Sequence, residues 1–326
     1  MCTAATYTSK DHYFGRNLDL EYSYDETVTV CPRRFPLTFR HVDDQPEHYA
    51  MIGMAYVAGG YPLFYDATNE KGLSMAGLNF PDNAAFLPCR NEANTYDVAS
   101  FEIIPWLLGQ CASVAEARKL LANTNVCNDN FAPQLPANPL HWMVDDGKEC
   151  IVVEPLASGI RVYDNPVGVM TNNPTFDMQM TYLANFQGLD AGQGENRLAP
   201  GIDLHRYSRG MGSLGIPGGL DSASRFVKVA FTKLHSVSAE DESSSVSQFL
   251  HILGSVYQQR GCCDLGDGKY EITIYSSCVN ATKGIYYYTT YDNPQVSGVD
   301  MHKENLDGSE LVTYPLIEQQ TFNMQN

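Results

Sequence analysis

The sequence predicts a layered α+β protein. Along the chain, three groups of strand-like segments alternate with two groups of helical segments. This order is typical of stacked antiparallel sheets covered by helices, whereas a parallel sheet would need helices between successive strands. No Pro/Ser/Gly linker, low-complexity tract or internal repeat interrupts the 326 residues, so we expect one domain over residues 1–326.

The first strand group begins with a predicted β-hairpin. Residues 2–8 and 12–19 are strand-like and flank a short turn at 9–11. Such a hairpin places Arg16 and Asp19 close to the start of the chain. An Arg and an Asp three residues apart are usually a solvated pair of little energetic value.

Further strands are predicted at 27–31, 51–57, 63–68 and 73–79. The last of these ends at Asn79, before Phe80-Pro81. An asparagine in that position is commonly a turn former. Its side-chain amide could equally face a cleft and donate to an oxyanion.

The first helical group combines an apolar segment at 101–108 with a helix that opens at a capping box. Ser113 and Glu116 have the Ser-x-x-Glu spacing that satisfies free backbone donors at a helix start. Residues 123–140 show no periodicity, so we expect a long surface loop that carries Phe131 and Leu135. Loops of that length inside a compact domain are often functional.

The second strand group ends at Asn172, before Asn173-Pro174. Its strands are predicted at 141–145, 150–154, 160–163 and 167–171. A helix at 176–186 follows, and then a Gly/Pro-rich stretch at 187–222 in which no strand and no Lys-Ser/Thr pair supports a nucleotide loop. We interpret 187–222 as an extended, packed or subunit-bridging segment. The chain closes with helices at 222–234 and 246–259 and strands at 271–275, 284–290 and 311–314.

Composition excludes several classes of function. The net charge is −17, from 21 basic and 38 acidic residues, which argues against nucleic acid as a partner. Apolar runs long enough to cross a bilayer are absent, as is a signal-like N-terminus, so we expect a cytoplasmic protein without membrane insertion. The nine cysteines form no CxxC pair and the eight histidines no HExxH or HxH cluster, so we predict a reduced protein with no metal and no cofactor.

Cys2 is the candidate nucleophile. Removal of Met1 would leave a thiol and a free α-amine on one residue, and model compounds titrate near ~8.5 and ~7.7–8.0 respectively. A thiol activated by an N-terminal amine is an established catalytic arrangement. Arg16 could then stabilise the thiolate, and Asp19 could hold the amine. The alternative is that Cys2 is a small buried hydrophobe, as most free cysteines are.

Five motifs in order resemble the choloylglycine hydrolases, the bile salt hydrolases of the N-terminal-nucleophile superfamily. They are Cys2, Phe14-Gly15-Arg16-Asn17-Leu18-Asp19, Ala76-Gly77-Leu78-Asn79-Phe80, Thr171-Asn172-Asn173-Pro174 and Ser224-Arg225-Phe226. Each motif is weak alone, but together they span nearly the whole chain. The resemblance implies a four-layer αββα sandwich of two antiparallel sheets between helical layers, usually assembled as a homotetramer.

The resemblance also implies a reaction and a set of site residues. The reaction is hydrolysis of glycine- or taurine-conjugated bile salts through a Cys2 thioester. Asp19 would orient the amine, Arg16 would steady the thiolate, and Arg225 would order the network beneath Asn79 and Asn172, which would line the tetrahedral intermediate. Three alternatives remain at this point: a penicillin V acylase, an acyltransferase that passes the thioester to an amine, and a non-catalytic protein that keeps the fold. Asn79 favours the bile salt hydrolases, since many penicillin V acylases carry Tyr there.

Substrate recognition is expected in loops. A steroid is a rigid apolar plate that needs an apolar cleft with few polar groups. Leu18, Tyr24, Phe131 and Leu135 are the apolar candidates in segments expected to border Cys2. For Phe131 and Leu135, anchoring of their own loop is nearly as good an explanation.

Overall fold

The computed structural model describes residues 1–326. The strands, in chain order, are β1 (Cys2–Thr8), β2 (His12–Leu20), β3 (Thr27–Cys31), β4 (Met51–Ala58), β5 (Tyr61–Asn69), β6 (Ser74–Asn79), β7 (Tyr96–Ala99), β8 (Thr124–Cys127), β9 (Leu140–Asp145), β10 (Cys150–Leu156), β11 (Gly159–Asp164), β12 (Val169–Met170), β13 (Asp264–Gly266), β14 (Lys269–Tyr270), β15 (Ile272–Asn280), β16 (Ile285–Thr290), β17 (Ser297–Asp300) and β18 (Val312–Pro315). The helices are α1 (Ile103–Gln110), α2 (Val114–Leu121), α3 (Phe176–Leu183), α4 (Ser222–His235) and α5 (Glu242–Gly254).

Two large antiparallel sheets form the centre of the molecule. The six-stranded sheet has the order β12-β1-β2-β15-β16-β17, and the eight-stranded sheet has the order β11-β10-β9-β6-β5-β4-β3-β18. The sheets face each other where β1 and β2 meet β6, while α4 and α5 cover the outside of the first sheet and α1 that of the second. This is the predicted αββα sandwich.

Apolar side chains explain why the layers stay together. One core joins residues of both sheets to α4 and α5, with Phe226 and Phe249 fully buried. A second core lies between the eight-stranded sheet and α1. Every residue of α1 except Gln110 is buried. At α2, Ser113 accepts the predicted capping bond from the Glu116 amide at 3.3 Å.

The predicted hairpin is present, and it determines where the candidate site lies. In the β1–β2 register Cys2 is opposite Leu18 and Ala4 is opposite Arg16. β1 lies between β2 and β12, so Cys2 is the first residue of an interior strand and not of an edge strand. The rest of the sandwich surrounds this position.

Three predicted boundaries are wrong. The strand predicted at 271–275 continues to Asn280 as β15. Residues 124–127 belong to β8, a buried strand that pairs in parallel with β7, so the surface loop occupies only 128–139. Its sequence Thr-Asn-Val-Cys lacks apolar alternation, and pairing with β7 supplies the order instead. The helix predicted at 246–259 runs from Glu242 to Gly254, because Asp241 caps the amide of Ser244 at 2.9 Å.

The Gly/Pro-rich segment 187–222 contains little regular structure. It has a single short 3₁₀ turn, at Met211–Ser213, before α4 begins at Ser222. Leu198 and Tyr207 within it are 89% and 79% exposed. Its subunit-bridging role stays a prediction.

None of the helices is both long and apolar enough to cross a membrane.

Candidate active site

Cys2 lies on the wall of a cavity of about 320 Å³. Only 3% of the residue is exposed, so the thiol is reached through this cavity. A larger groove of about 890 Å³ runs along α5 and β16, but none of the candidate catalytic side chains lines it. The chemistry of the site therefore concerns the smaller cavity.

Arg16 contacts the thiol directly. Its Nη2 donates to Cys2 Sγ at 2.6 Å, and its Nη1 donates to the carbonyl oxygens of Tyr65 at 3.1 Å and Gly77 at 2.5 Å. Burial alone would lower the pKa of Arg16, but the nearby negative charges, that of Cys2 foremost, raise it above its ordinary value. A permanent positive charge against sulfur stabilises a thiolate.

Asp66 is a supporting residue that the sequence did not indicate. It is fully buried on β5 and accepts hydrogen bonds from Tyr275 and Tyr286, both at 2.7 Å, and from Ser277 at 3.2 Å. Its charge contributes to the raised pKa of Arg16, whereas burial raises the pKa of Asp66 itself. Nothing in the local pattern of β5 distinguishes this aspartate from a surface one.

Asp19 has an unused oxygen. Its Oδ1 accepts from Thr273 Oγ1 at 2.6 Å, whereas its Oδ2 has no hydrogen-bond partner and lies 4.0 Å from Arg225 Nη1. Burial raises the pKa of Asp19, opposed by the positive charges of Arg225 and the N-terminus. A buried carboxylate oxygen without a partner is costly, so a donor at this position would stabilise the site.

Met1 is attached to the Cys2 nitrogen, which the predicted mechanism uses as a free amine. Its amino group donates to the Asp19 carbonyl at 2.8 Å and pairs with Glu271. The nitrogen of Cys2 is therefore a peptide N–H, and it donates to Asn172 Oδ1 at 2.8 Å. A peptide nitrogen cannot act as a base, so the α-amine of Cys2 becomes available only when Met1 is removed.

Arg225 links the start of the chain to Asn172. Its Nη1 donates to the Cys2 carbonyl and to Thr3 Oγ1, both at 2.5 Å, and its Nη2 donates to Asn172 Oδ1 at 2.7 Å. Burial lowers the pKa of Arg225, while the charges of Asp19 and Cys2 oppose this shift. The ordering role of Arg225 stays a prediction.

The two candidate oxyanion residues differ in their contacts. The side-chain amide of Asn172 donates to the backbone carbonyl of Asn79 at 2.7 Å, so both ends of the Asn172 side chain are occupied by protein groups. Asn79 lines the cavity with Cys2, and its own side-chain amide makes no hydrogen bond within the protein. The geometry therefore offers Asn79 to a ligand and departs from the expectation that Asn172 lines the intermediate.

All four apolar candidates line the cavity together with Cys2. Leu18 is buried, Tyr24 is 39% exposed, and Phe131 and Leu135 come from the loop 128–139. Phe131 also packs on Phe101 and Tyr61, at centroid distances of 5.3 and 5.8 Å, so it anchors its loop as well. Other apolar side chains on this wall, which the sequence did not single out, are Leu20, Tyr56, Phe64, Phe101, Ile104 and Leu140.

Comparison with known proteins gives matches over nearly the full chain. Residues 2–314 match the family model described as linear amide C–N hydrolases, choloylglycine hydrolase family. A bile salt hydrolase/transferase of Lactiplantibacillus plantarum is 54% identical over 316 residues, which cover 97% of each chain. A bile salt hydrolase/transferase of Clostridium perfringens is 38% identical, with 96% of each chain covered.

Solved structures agree on the fold. A mutant conjugated bile acid hydrolase from Clostridium perfringens superposes with a TM-score of 0.91 at 35% identity, covering all of both chains. Penicillin V acylase from Agrobacterium tumefaciens superposes with a TM-score of 0.76 at 17% identity, covering 96% of this chain and 91% of that one. The second match shows a shared fold alone.

Removal of Met1 is expected to be required for amide hydrolysis, because the base is the amine that Met1 acylates. Intact-mass measurement of the active enzyme should give a chain that starts at Cys2. A form with Met1 retained, for example behind an uncleavable N-terminal extension, should be inactive although it folds. Full activity with Met1 still attached would contradict this role of the amine.

Proposed function

The chain belongs to the choloylglycine hydrolase family of linear amide C–N hydrolases, and on that premise we propose that it hydrolyses the amide bond of glycine- or taurine-conjugated bile salts. The observation that carries the proposal is the contact of Arg16 with Cys2 Sγ on the wall of an apolar cavity. The bile salt hydrolase names of relatives that are 54% and 38% identical support this substrate class.

The mechanism we propose begins with the processed Cys2. Its α-amine takes the thiol proton, and the thiolate, held by Arg16, attacks the amide carbonyl. The side-chain amide of Asn79 donates to the resulting oxyanion. The amine then returns the proton to the leaving glycine or taurine, which leaves a Cys2 thioester. Water, deprotonated by the same amine, hydrolyses the thioester and releases the free bile acid.

Three further residues position these groups in our proposal. Asn172 Oδ1 accepts from the Cys2 nitrogen, and Arg225 holds that oxygen through Nη2. Asp19 offers its unused Oδ2 to the amine that appears once Met1 is removed. Asn172 therefore orients the base, while the donor to the oxyanion is Asn79.

The apolar lining of the cavity supports a steroid as the substrate. At about 320 Å³ it lies at the lower end of the range for small-molecule pockets, and most of its lining side chains are apolar. Because the net charge of −17 would repel an anionic conjugate, attraction must come from local groups such as Arg16.

Release of glycine and taurine tests the proposed function. Purified, processed enzyme should release both or one of these from glycocholate and taurocholate faster than it releases phenoxyacetate from penicillin V. The Cys2→Ala variant should be inactive with an unchanged circular dichroism spectrum, and Cys2→Ser should lose most activity, since a hydroxyl is barely deprotonated at neutral pH. Preference for penicillin V over every conjugated bile salt would support the acylase alternative instead.

Acyl transfer is a second candidate for the same thioester, since the relatives in Lactiplantibacillus plantarum and Clostridium perfringens carry the name hydrolase/transferase. An amine that enters the cavity can replace water. The same assay with an added amino acid other than glycine should then yield a new conjugate, detected by its mass. If only free bile acid forms at every amine concentration, water is the sole acceptor.

Asn79→Ala is expected to lower kcat by ~10²–10³ with a much smaller effect on KM, because it removes a donor to the oxyanion. Asn172→Ala should also lower kcat, since the amine loses its acceptor. The matched control is Asn138→Ala, an asparagine on the wall of the same cavity. It should change KM more than kcat. An Asn79→Ala variant with intact kcat and raised KM would place Asn79 in substrate binding.

Phe131→Ala and Leu135→Ala are expected to reorder the preference among bile salts. Both side chains line the cavity. Truncation of either one changes the shape of the cavity and therefore its contacts with differently hydroxylated steroids. Measuring kcat/KM for several bile salts, beside thermal unfolding, separates the two explanations of these residues. A lower Tm with an unchanged ranking would mean that they only anchor the loop.

A further inference from the structure

Four side chains with metal-ligating atoms meet outside the active site. The imidazole of His41, the thiols of Cys89 and Cys127 and the carboxylate of Asp129 each offer one atom, and these atoms all lie within 4.8 Å of one another. They come from four segments: the loop 32–50, the loop 80–95, the end of β8 and the loop 128–139. His41 Nε2 lies 2.9 Å from Asp129 Oδ2, and Cys89 Sγ lies 2.8 Å from Cys127 Sγ.

The two thiols are held in place by a buried carboxylate. Asp97 accepts hydrogen bonds from the backbone amides of Arg90 at 3.0 Å and Asn91 at 2.8 Å, which fixes the turn that follows Cys89. Asn125 Nδ2 donates to Asp97 Oδ1 at 2.7 Å, and the same oxygen lies 3.7 Å from Cys127 Sγ. Outer hydrogen-bond partners of this kind orient the ligands of metal sites.

The cluster is short of positive charge. The carboxylates of Asp97 and Asp129 lie 3.7 Å from Cys127 Sγ and 4.0 Å from Cys89 Sγ, respectively. His41, which contacts Asp129, is the one basic side chain among the four groups. A divalent ion would supply the missing charge. The thiols that bind it release their protons to solvent.

We propose that His41, Cys89, Cys127 and Asp129 form a binding site for one zinc-type divalent transition metal ion. Two sulfur ligands, one imidazole and one carboxylate match the ligand types and the number of ligands that zinc prefers. Magnesium and calcium favour sites made of oxygen alone, so this ligand set selects against them. His41 and Asp129 remain about 30% exposed, which gives the ion a route from solvent.

The bound ion would act as a clamp on one wall of the substrate cavity. Asp129 and Cys127 flank the start of the loop 128–139, which carries Phe131 and Leu135. Arg40, next to His41, donates to the carbonyl oxygen of Phe131 at 2.9 Å, so the same two loops are already joined there. A metal at the cluster connects this loop to two others. All four of its coordination positions are filled by protein ligands, since the ion takes no part in the reaction.

Metal titration tests the site independently of bile salt hydrolysis. Enzyme stripped with a chelator under reducing conditions should bind one zinc ion per chain, raise its Tm, and give thiolate-to-cobalt charge-transfer absorption when Co²⁺ replaces zinc. The Cys2→Ala variant should behave like the wild type, which excludes the nucleophile as a ligand. Asp97→Asn should weaken binding by about 10–100-fold. Cys89→Ser should weaken it further.

The matched control is Cys262→Ser, which removes an exposed cysteine elsewhere in the chain. It should leave zinc stoichiometry, cobalt absorption and the Tm increase unchanged. The proposal is overturned if Cys89→Ser and the wild type bind zinc equally, or if reduced wild-type enzyme binds none. It is also overturned if Cys89 and Cys127 form a disulfide in air and the reduced pair has no affinity for cobalt.

Discussion

Burial of two arginine side chains beside the first strand constrains the whole site. Arg16 and Arg225 are no more than 1% exposed. Removing a charge from water is costly unless its hydrogen bonds and countercharges are supplied, and loss of one partner of a buried pair typically costs about 3–5 kcal/mol. Here carbonyl oxygens, Asp66 and Cys2 surround Arg16, while the Cys2 carbonyl and Asn172 satisfy Arg225. The residues that position the thiol therefore also stabilise the fold.

This constraint explains which parts of the site the sequence could predict. Arg16 and Asp19 reach Cys2 through one hairpin with a short turn, so local periodicity was enough to place them. Arg225 and Asn172 lie far along the chain and reach Cys2 only because β12 pairs with β1 and α4 packs on β1. No local pattern reports such contacts. These two residues were predicted from the resemblance to a family. That resemblance did not indicate that the side-chain amide of Asn172 donates to the backbone carbonyl of Asn79.

Other features depend on packing between distant segments and had no signal in the sequence. β8 is ordered by its parallel partner β7, although its first two residues are polar. Tyr56 on β4 and Phe64 on β5 line the cavity. The alternation of apolar residues along these strands does not indicate which face of the sheet lies toward Cys2. The cluster of His41, Cys89 and Cys127 is invisible to spacing rules, because those rules recognise ligands close together in the chain.

In our proposal, removal of Met1 also completes this hydrogen-bond network. With Met1 attached, the Cys2 nitrogen carries one hydrogen, which goes to Asn172 Oδ1, and Asp19 Oδ2 is left without a donor. A buried acceptor without a partner costs roughly 1–3 kcal/mol. Removing Met1 gives the same nitrogen additional hydrogens to donate, whereas the positive charge of Arg225 already lies 4.0 Å from Asp19 Oδ2. In the mechanism we propose, the cleavage that creates the base also gives the Asp19 carboxylate a donor, so an unprocessed chain keeps the fold with one carboxylate oxygen unpaired.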